Sequence, residues 1–424
     1  MDRLALAMKA IHFAVITGAV MAGLPNENPL ALKYVAHGAA MTRPVEDQVQ
    51  RTRVPWKAAN ELAPTPVAVA SPQAVLPKEA TLAAGPPTLK FTGVAADLQA
   101  LLDNAPDGAV VLCEQTEPLT VSNTLTITKP IILRGLKARL PDKLGGTVLL
   151  VVAAKGVTLA DLELHGNYDS VPQKSRAPLL HIKAGDFRVE RCKFFDGSKD
   201  GVMVTPDDGT GDIVGGVVRD IEGTRMGRDV VSLSGGCGGL RIRNVTVEHV
   251  RLKKGYYRGA VEVSDGTDNI IVRHVYAQDA VYAIDVQDHG ARQPGKSAPS
   301  APNTHVTLED VTAVNCKHVI RTANHDLGHS HLTLRDFVGR DCQEPVLISN
   351  TRHVRIENLA LTNAPAARKP RITLRNCQDV ELRNVTIAGL QEGQEAVITP
   401  KSTDVRIEGL KHSNAEAPSK GGAP

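Results

Sequence analysis

"VTLEDVTA" at residues 306–313 decides the fold: apolar, any, apolar, charged, Asp, apolar, any, apolar. The same frame returns as "VTLADLEL" from Val157, "FRVERCKF" from Phe187, "GVVRDIEG" from Gly216, "LRIRNVTV" from Leu240 and "IIVRHVYA" from Ile270. It continues as "LTLRDFVG" from Leu332, "VRIENLAL" from Val354, "VELRNVTI" from Val380 and "VRIEGLKH" from Val405. Its fifth position falls at 161, 191, 220, 244, 274, 310, 336, 358, 384 and 409, with steps of 22 to 36 residues. Each unit carries a second short alternating run, such as "GVMVT", "VVSLS", "GAVEV", "YAIDV", "HVIRT" and "PVLIS". Short strands at this period, without helical patterns between them, predict a solenoid in which each repeat is one coil. Leucine-rich repeats would hold a fixed Leu frame, and a sandwich would need Asn-Gly-type hairpin turns, which are few here. The prediction is an all-β, right-handed parallel β-helix of about ten or eleven coils.

Upstream, "GVAADLQALLDNAPDG" has apolar residues at helical spacing and closes on Pro-Asp-Gly, which predicts one short helix near residues 95–104. A solenoid end exposes unpaired strand edges, so this helix is expected to cap the N-terminal coil. Residues 25–88 are rich in Ala, Pro and Val without a sustained period and read as a linker. Before them, Arg3 and Lys9 precede the apolar "FAVITGAVMAGL", the pattern of an export signal over residues 1–24 that is too short to span a bilayer. The expected organisation is therefore signal, linker, a β-helix over 89–413 and a short disordered tail over 414–424, in a secreted or periplasmic protein.

The 424 residues are 42% hydrophobic, enough for a sizeable core, and carry a net charge of +3 with both signs interspersed. That balance argues against a nucleic-acid partner, which would select a basic face. Aromatics are only 3%, which counts against a module that binds neutral glycans on stacked rings. The six cysteines show no metal-ligand spacing, so zinc is not expected, and several fall where the repeat wants a small buried side chain. A bridge between Cys316 and Cys342 on neighbouring repeats is the best disulfide candidate.

The capping "ADLQALLDNAPDGAVVL", then "LTVSNTLTITKPIILRGL", then irregular coils resembles the pectate-lyase-like β-helix superfamily over roughly residues 90–413. That resemblance implies an exported protein whose relatives mostly cleave or epimerise acidic polysaccharides, alongside glycosidases, tailspikes and adhesins. "YAIDVQDHG" at 282–290 resembles the "YG-x-DPHD" stretch of mannuronan C5-epimerases, with Asp285 and Asp288 on its two acids and Val286-Gln287 where that family has Pro-His. "DLGHSH" half resembles the Gly-His-Gly of polygalacturonases, and no family's catalytic set is present whole.

Stacking the second strands predicts an outward column Met203, Ser232, Glu262, Asp285, Arg321 and Ile348, because side chains alternate faces and neighbouring strands lie about 4.8 Å apart. The next polar column would be Thr205, Ser234, Ser264, Gln287, Ala323 and Asn350. A basic row, Lys199, Arg228, Arg258 and Lys317, would run beside them, with the turn residues Asp207, Asp265, Asp288, His289 and His325 beyond the strand ends. Tyr256, Tyr257 and Tyr282 fall in the same two coils. Close carboxylates repel, so one keeps its proton unless a cation compensates. Three readings follow for Glu262, Asp285 and Arg321. In a lyase or epimerase, Glu262 and Asp285, with Asp288, hold Ca²⁺ while Arg321 acts at C5 of a uronate, and Lys199, Arg228, Arg258, Tyr257, Tyr282 and Gln287 bind substrate. In a retaining glycoside hydrolase, the two acids are the catalytic pair. In a non-catalytic binding, adhesin or structural solenoid, the column is a surface ion-pair ladder. His325 is the candidate acid-base histidine, and His289 reads as a turn residue.

Overall fold

The computed structural model describes residues 86–414 apart from 208–209, 237–238, 290–300, 324–327, 363–371 and 391. The predicted signal and nearly all of the predicted linker and tail, with His325 and one of the six cysteines, lie outside the described residues. The chain winds into a parallel β-solenoid built from a 17-stranded and an 11-stranded sheet. The second sheet takes one strand from each coil, from Leu125–Ile127 to Val397–Ile398, which counts eleven coils. Neighbouring coils pair in parallel register, for example Val306↔Leu332↔Val354↔Val380. Inward Val, Ile and Leu side chains form one continuous core, each worth about 1.5–3 kcal/mol relative to exposure.

The periodic Asn or Asp has a backbone cause. The long segments Thr304–Val314 and His329–Arg340 each turn a corner at a left-handed residue of the repeat frame, Asp310 (φ 49°) and Asp336 (φ 58°). Asp161, Arg191, Asp220, His274, Asn358, Asn384 and Gly409 occupy the same conformation in other coils. Left-handed backbone costs an L-residue about 1–2 kcal/mol, and Asn, Asp and His tolerate it best after Gly. The register also corrects the frame in one unit. Val250 pairs with Ile221, so His249 (φ 54°) is the counterpart of Asp220, and the true repeat there is "VTVEHVRL" at 245–252. Asn244 belongs to a second left-handed column, with Gly215, Asn269, His305, His331, His353 and Asp379. On that outer edge the rings of His305 and His331 stack at 4.6 Å, and His353 follows His331 at 4.6 Å.

The helix Ala95–Asn104 forms as predicted and buries Leu98 and Leu102 against the first coil. Gln99 then treats the edge strand Leu125–Ile127 as a neighbouring strand would. Its Oε1 accepts from Thr126 N at 2.8 Å and its Nε2 donates to Thr126 O at 3.1 Å.

Cys113, Cys192, Cys316, Cys342 and Cys377 are buried thiols. The expected Cys316–Cys342 bridge is therefore not formed. Both thiols pack inward and donate to backbone carbonyls, Cys316 to Ala277 and Cys342 to Ala313, each at 3.7 Å. Burial raises the first to about 12 and the second to about 11. No described helix is long and apolar enough to cross a membrane.

Candidate functional site

Five strands of the second sheet, Val202–Val204, Val231–Ser234, Gly259–Ser264, Tyr282–Gln287 and His318–Ala323, carry the candidate residues. Their register places Met203, Ser232, Glu262, Asp285 and Arg321 in one column, and Ser234, Ser264, Gln287 and Ala323 in the next. The column then departs from expectation. Arg321 pairs with Leu347, whereas Ile348 is buried in the core, and the polar column moves from Asn350 to Ser349 in the same way.

Outward orientation does not mean exposure here. Glu262 is 1% exposed and Asp285 0%: Arg228 and Arg258 reach Glu262 from the corners before their strands, and Arg321 reaches Asp285 from the neighbouring strand. Arg258 pairs with Glu262 Oε1, Arg228 reaches Oε2 at 3.0 Å, Ser232 donates to Oε2 at 2.7 Å, and Gln287 donates to Oε1. Arg321 grips Asp285 with two nitrogens, its Nε at 2.9 Å from Oδ1 and its second amine on Oδ2. Burial alone would raise both acids. Arg258 and Arg228 overcome it at Glu262 and hold that carboxyl below the ordinary value. At Asp285 burial wins over Arg321, with help from the neighbouring Glu262 charge, and the pKa is raised. The two carboxyls thus split as close acids do.

The basic row is held by ion pairs of its own. Arg228 and Arg258 stack beside Lys199 as predicted, but both guanidiniums turn toward Asp229 and Glu262, and Arg228 also toward Asp200 at 3.4 Å. Lys199 lies 3.9 Å from Met203 Sδ, and Lys317 pairs with Glu344 at 3.8 Å. Tyr282 is also reassigned. It is 1% exposed, and its phenol donates to Asp229 Oδ1 at 2.9 Å, so it supports the acids from within and offers no face to a sugar. Gln287, 6% exposed, likewise spends its amide on Glu262. Tyr257 remains 42% exposed.

Calcium does not fit Glu262 and Asp285. The ion takes six to eight oxygen ligands, and these oxygens already face three guanidiniums, a serine and an amide. Among the described residues no group of three or more His, Cys, Asp or Glu is arranged to hold a metal ion.

The opposite ends of the same strands bring the turn residues Asp265, Asp288 and His289 into one group, a pairing the sequence did not foresee. His289 Nδ1 lies 2.6 Å from Asp265 Oδ2, and its backbone N donates to Asp265 Oδ1 at 2.8 Å. Ser234 steadies the carboxylate at 3.0 Å. The hydrogen bond that Asp265 accepts from His289 raises the His289 pKa despite partial burial, and Asp265 is lowered because His289 outweighs its own burial. With Nδ1 held, Nε2 of a side chain 31% exposed is left for proton transfer. Asp288 (1% exposed) and His329 (1% exposed) lie beneath, where Asn303 approaches His329 Nδ1 at 3.2 Å. His289 and Asp265 are 24 residues apart yet occupy equivalent strand ends of adjacent coils, a relation visible only once the register is known.

No family model matches the chain, and no curated protein matches it. Solved structures do. An exopolygalacturonase of Thermotoga maritima shares 11% identity at a TM-score of 0.45, covering 73% of this chain and 85% of that one. A mannuronan C-5 epimerase module of Azotobacter vinelandii shares 13% at 0.43, covering 76% and 97%. A mannuronic acid-specific family 6 lyase from human gut microbiota shares 13% at 0.42, covering 76% and 83%. The parallel β-solenoid of this chain is read from its own strand pairing.

Proposed function

We propose that the protein is an exported enzyme that acts on an acidic extracellular or cell-envelope polysaccharide by removing the proton at C5 of a uronate unit, in a lyase or C5-epimerase reaction. The observation that carries this reading is the Asp265–His289 pair at one end of the same strands that bear three partly exposed guanidiniums. Arg321, Arg258 and Arg228 are anchored from below by Asp285 and Glu262, and their outer edges neutralise the uronate carboxylate, which acidifies the adjoining C–H. His289 Nε2 takes that proton while Asp265 holds the ring and stabilises the imidazolium. In elimination the C4–O bond then breaks and the departing oxygen gains a proton; in epimerisation a proton returns to the opposite face. Hydrolysis by Glu262 and Asp285 is disfavoured, since a nucleophile and an acid must reach the sugar and these carboxyls are covered and saturated.

The test is incubation with a panel of polyuronates, following ultraviolet absorbance of unsaturated ends and, in heavy water, deuterium uptake at C5. Turnover by the native chain and its loss by at least a hundredfold in His289→Ala are expected, the scale of a general base. Release of reducing ends without either signal would instead make the protein a hydrolase, and binding without turnover would make it a non-catalytic solenoid.

A further inference from the structure

The segment between strands Glu163–His165 and Leu180–Ile182 is longer than its counterparts in the next three coils, at 196–201, 225–230 and 253–258. It is tied backward, since Asn167 Nδ2 donates to Pro141 O at 2.8 Å and to Leu144 O at 2.9 Å, and Lys143 N donates to Ser170 Oγ at 3.0 Å. It also reaches forward three coils, passing the small corners Gly197 and Gly227, which pair directly at 2.7 Å. There Tyr168 lies face to face on Tyr256, with centroids 4.1 Å apart and planes 4° from parallel.

That stack would suffice as a structural clasp, but more is built around it. Arg176 sits 4.4 Å over the ring of Tyr168 and 5.0 Å over that of Tyr257. Its Nε is buried with no hydrogen-bond partner among the described residues. Lys254 adds a second cation 5.5 Å from the Tyr256 ring. Tyr257 keeps an open face, and its phenol is made more acidic by the hydrogen bond from Tyr168 and by Arg176. It directly precedes Arg258, which grips Glu262.

We propose that Tyr257, Tyr168 and Arg176 form a subsite for a further unit of an acidic oligosaccharide, with the sugar's C–H face on Tyr257 and its carboxylate on Arg176. This deepens the reading given above and rests on it for the identity of the sugar. An aromatic face beside a desolvated cation matches a uronate, which is apolar on one side of the ring and charged at its edge.

The test uses the full chain carrying His289→Ala, so that binding is measured without turnover. Isothermal titration with a defined oligogalacturonate and a defined oligomannuronate, with a neutral gluco-oligosaccharide as control, is compared after adding Tyr257→Ala, Tyr257→Phe or Arg176→Gln. Tyr257→Ala and Arg176→Gln are each expected to weaken oligouronate binding about tenfold at unchanged thermal unfolding, and Tyr257→Phe to preserve it. Unchanged affinity in Tyr257→Ala overturns the subsite, as does equal binding of the neutral oligosaccharide or no oligouronate binding at all. If uronates are turned over by the native chain but Tyr257 does not matter, only the subsite falls. If binding depends on Tyr257 but nothing is turned over, the subsite stands and the reaction falls.

Discussion

The phenol of Tyr282 reaches Asp229 two coils away, 2.9 Å from Oδ1, by passing over Gly259. A Cβ at 259 would collide with the carbonyl and ring of Tyr282, so the glycine is the opening through which the contact is made. Burial drives the Asp229 pKa upward and the Glu262 charge adds to it; the Arg258 and Arg228 charges oppose the rise, and the phenol and the Gly259 N–H both donate to its Oδ1. Gly259→Ala is expected to cost about 1–3 kcal/mol through overpacking, read as a lower denaturant midpoint. Tyr282→Phe should cost a similar amount, about 1–3 kcal/mol, by leaving a buried acceptor short of a donor. An unchanged midpoint in both would show that the contact is incidental.

The Asp265–His289 pair predicts a displaced pH profile. The His289 pKa is raised, so its contribution to stability is present below the ordinary histidine value and is lost as pH rises through the elevated one. The Asp265 pKa is lowered, so its contribution is lost as pH falls through the depressed value. A base must be neutral, so proton abstraction should rise as pH passes the elevated His289 pKa. Asp265→Asn removes the cause of that elevation. The acidic limb of kcat/KM should then move to lower pH while the maximum rate drops, and a limb that stays in place would remove His289 from the reaction.

The left-handed corners can be tested one residue at a time. Asn358 has φ 57° and sits on the exterior, where its Nδ2 donates to Asp336 at 2.9 Å. Asn358→Gly should be tolerated within a few tenths of a kcal/mol, whereas Asn358→Val should lose at least about 1–2 kcal/mol, measured by thermal unfolding. Equal losses would mean that the side-chain ladder, and not the backbone, selects asparagine there.

These results show where the sequence speaks plainly. The solenoid is legible because every coil repeats the same inward apolar alternation, and the column Glu262, Asp285, Arg321 follows from alternation alone. The frame slipped at Asn244 because each coil has two left-handed corners of the same chemistry, so a one-corner shift still matches the pattern. The slip from Leu347 to Ile348 has a similar origin, since both are apolar and only pairing tells them apart. Burial of Glu262 was hidden because its partners Arg228 and Arg258 leave the corners before their strands and fold back. His289 read as a turn residue since nothing local marks Asp265 as its partner.

Gln99 has a consequence beyond closing the first coil. A strand edge is a template that any extended chain can extend, and a solenoid repeats that template at each step. By giving Thr126 both a donor and an acceptor from one side chain, the helix sets a terminator where the pattern would otherwise invite another molecule to continue it. On the second sheet, the edge strand Leu125–Ile127 meets a side-chain amide in place of a further strand.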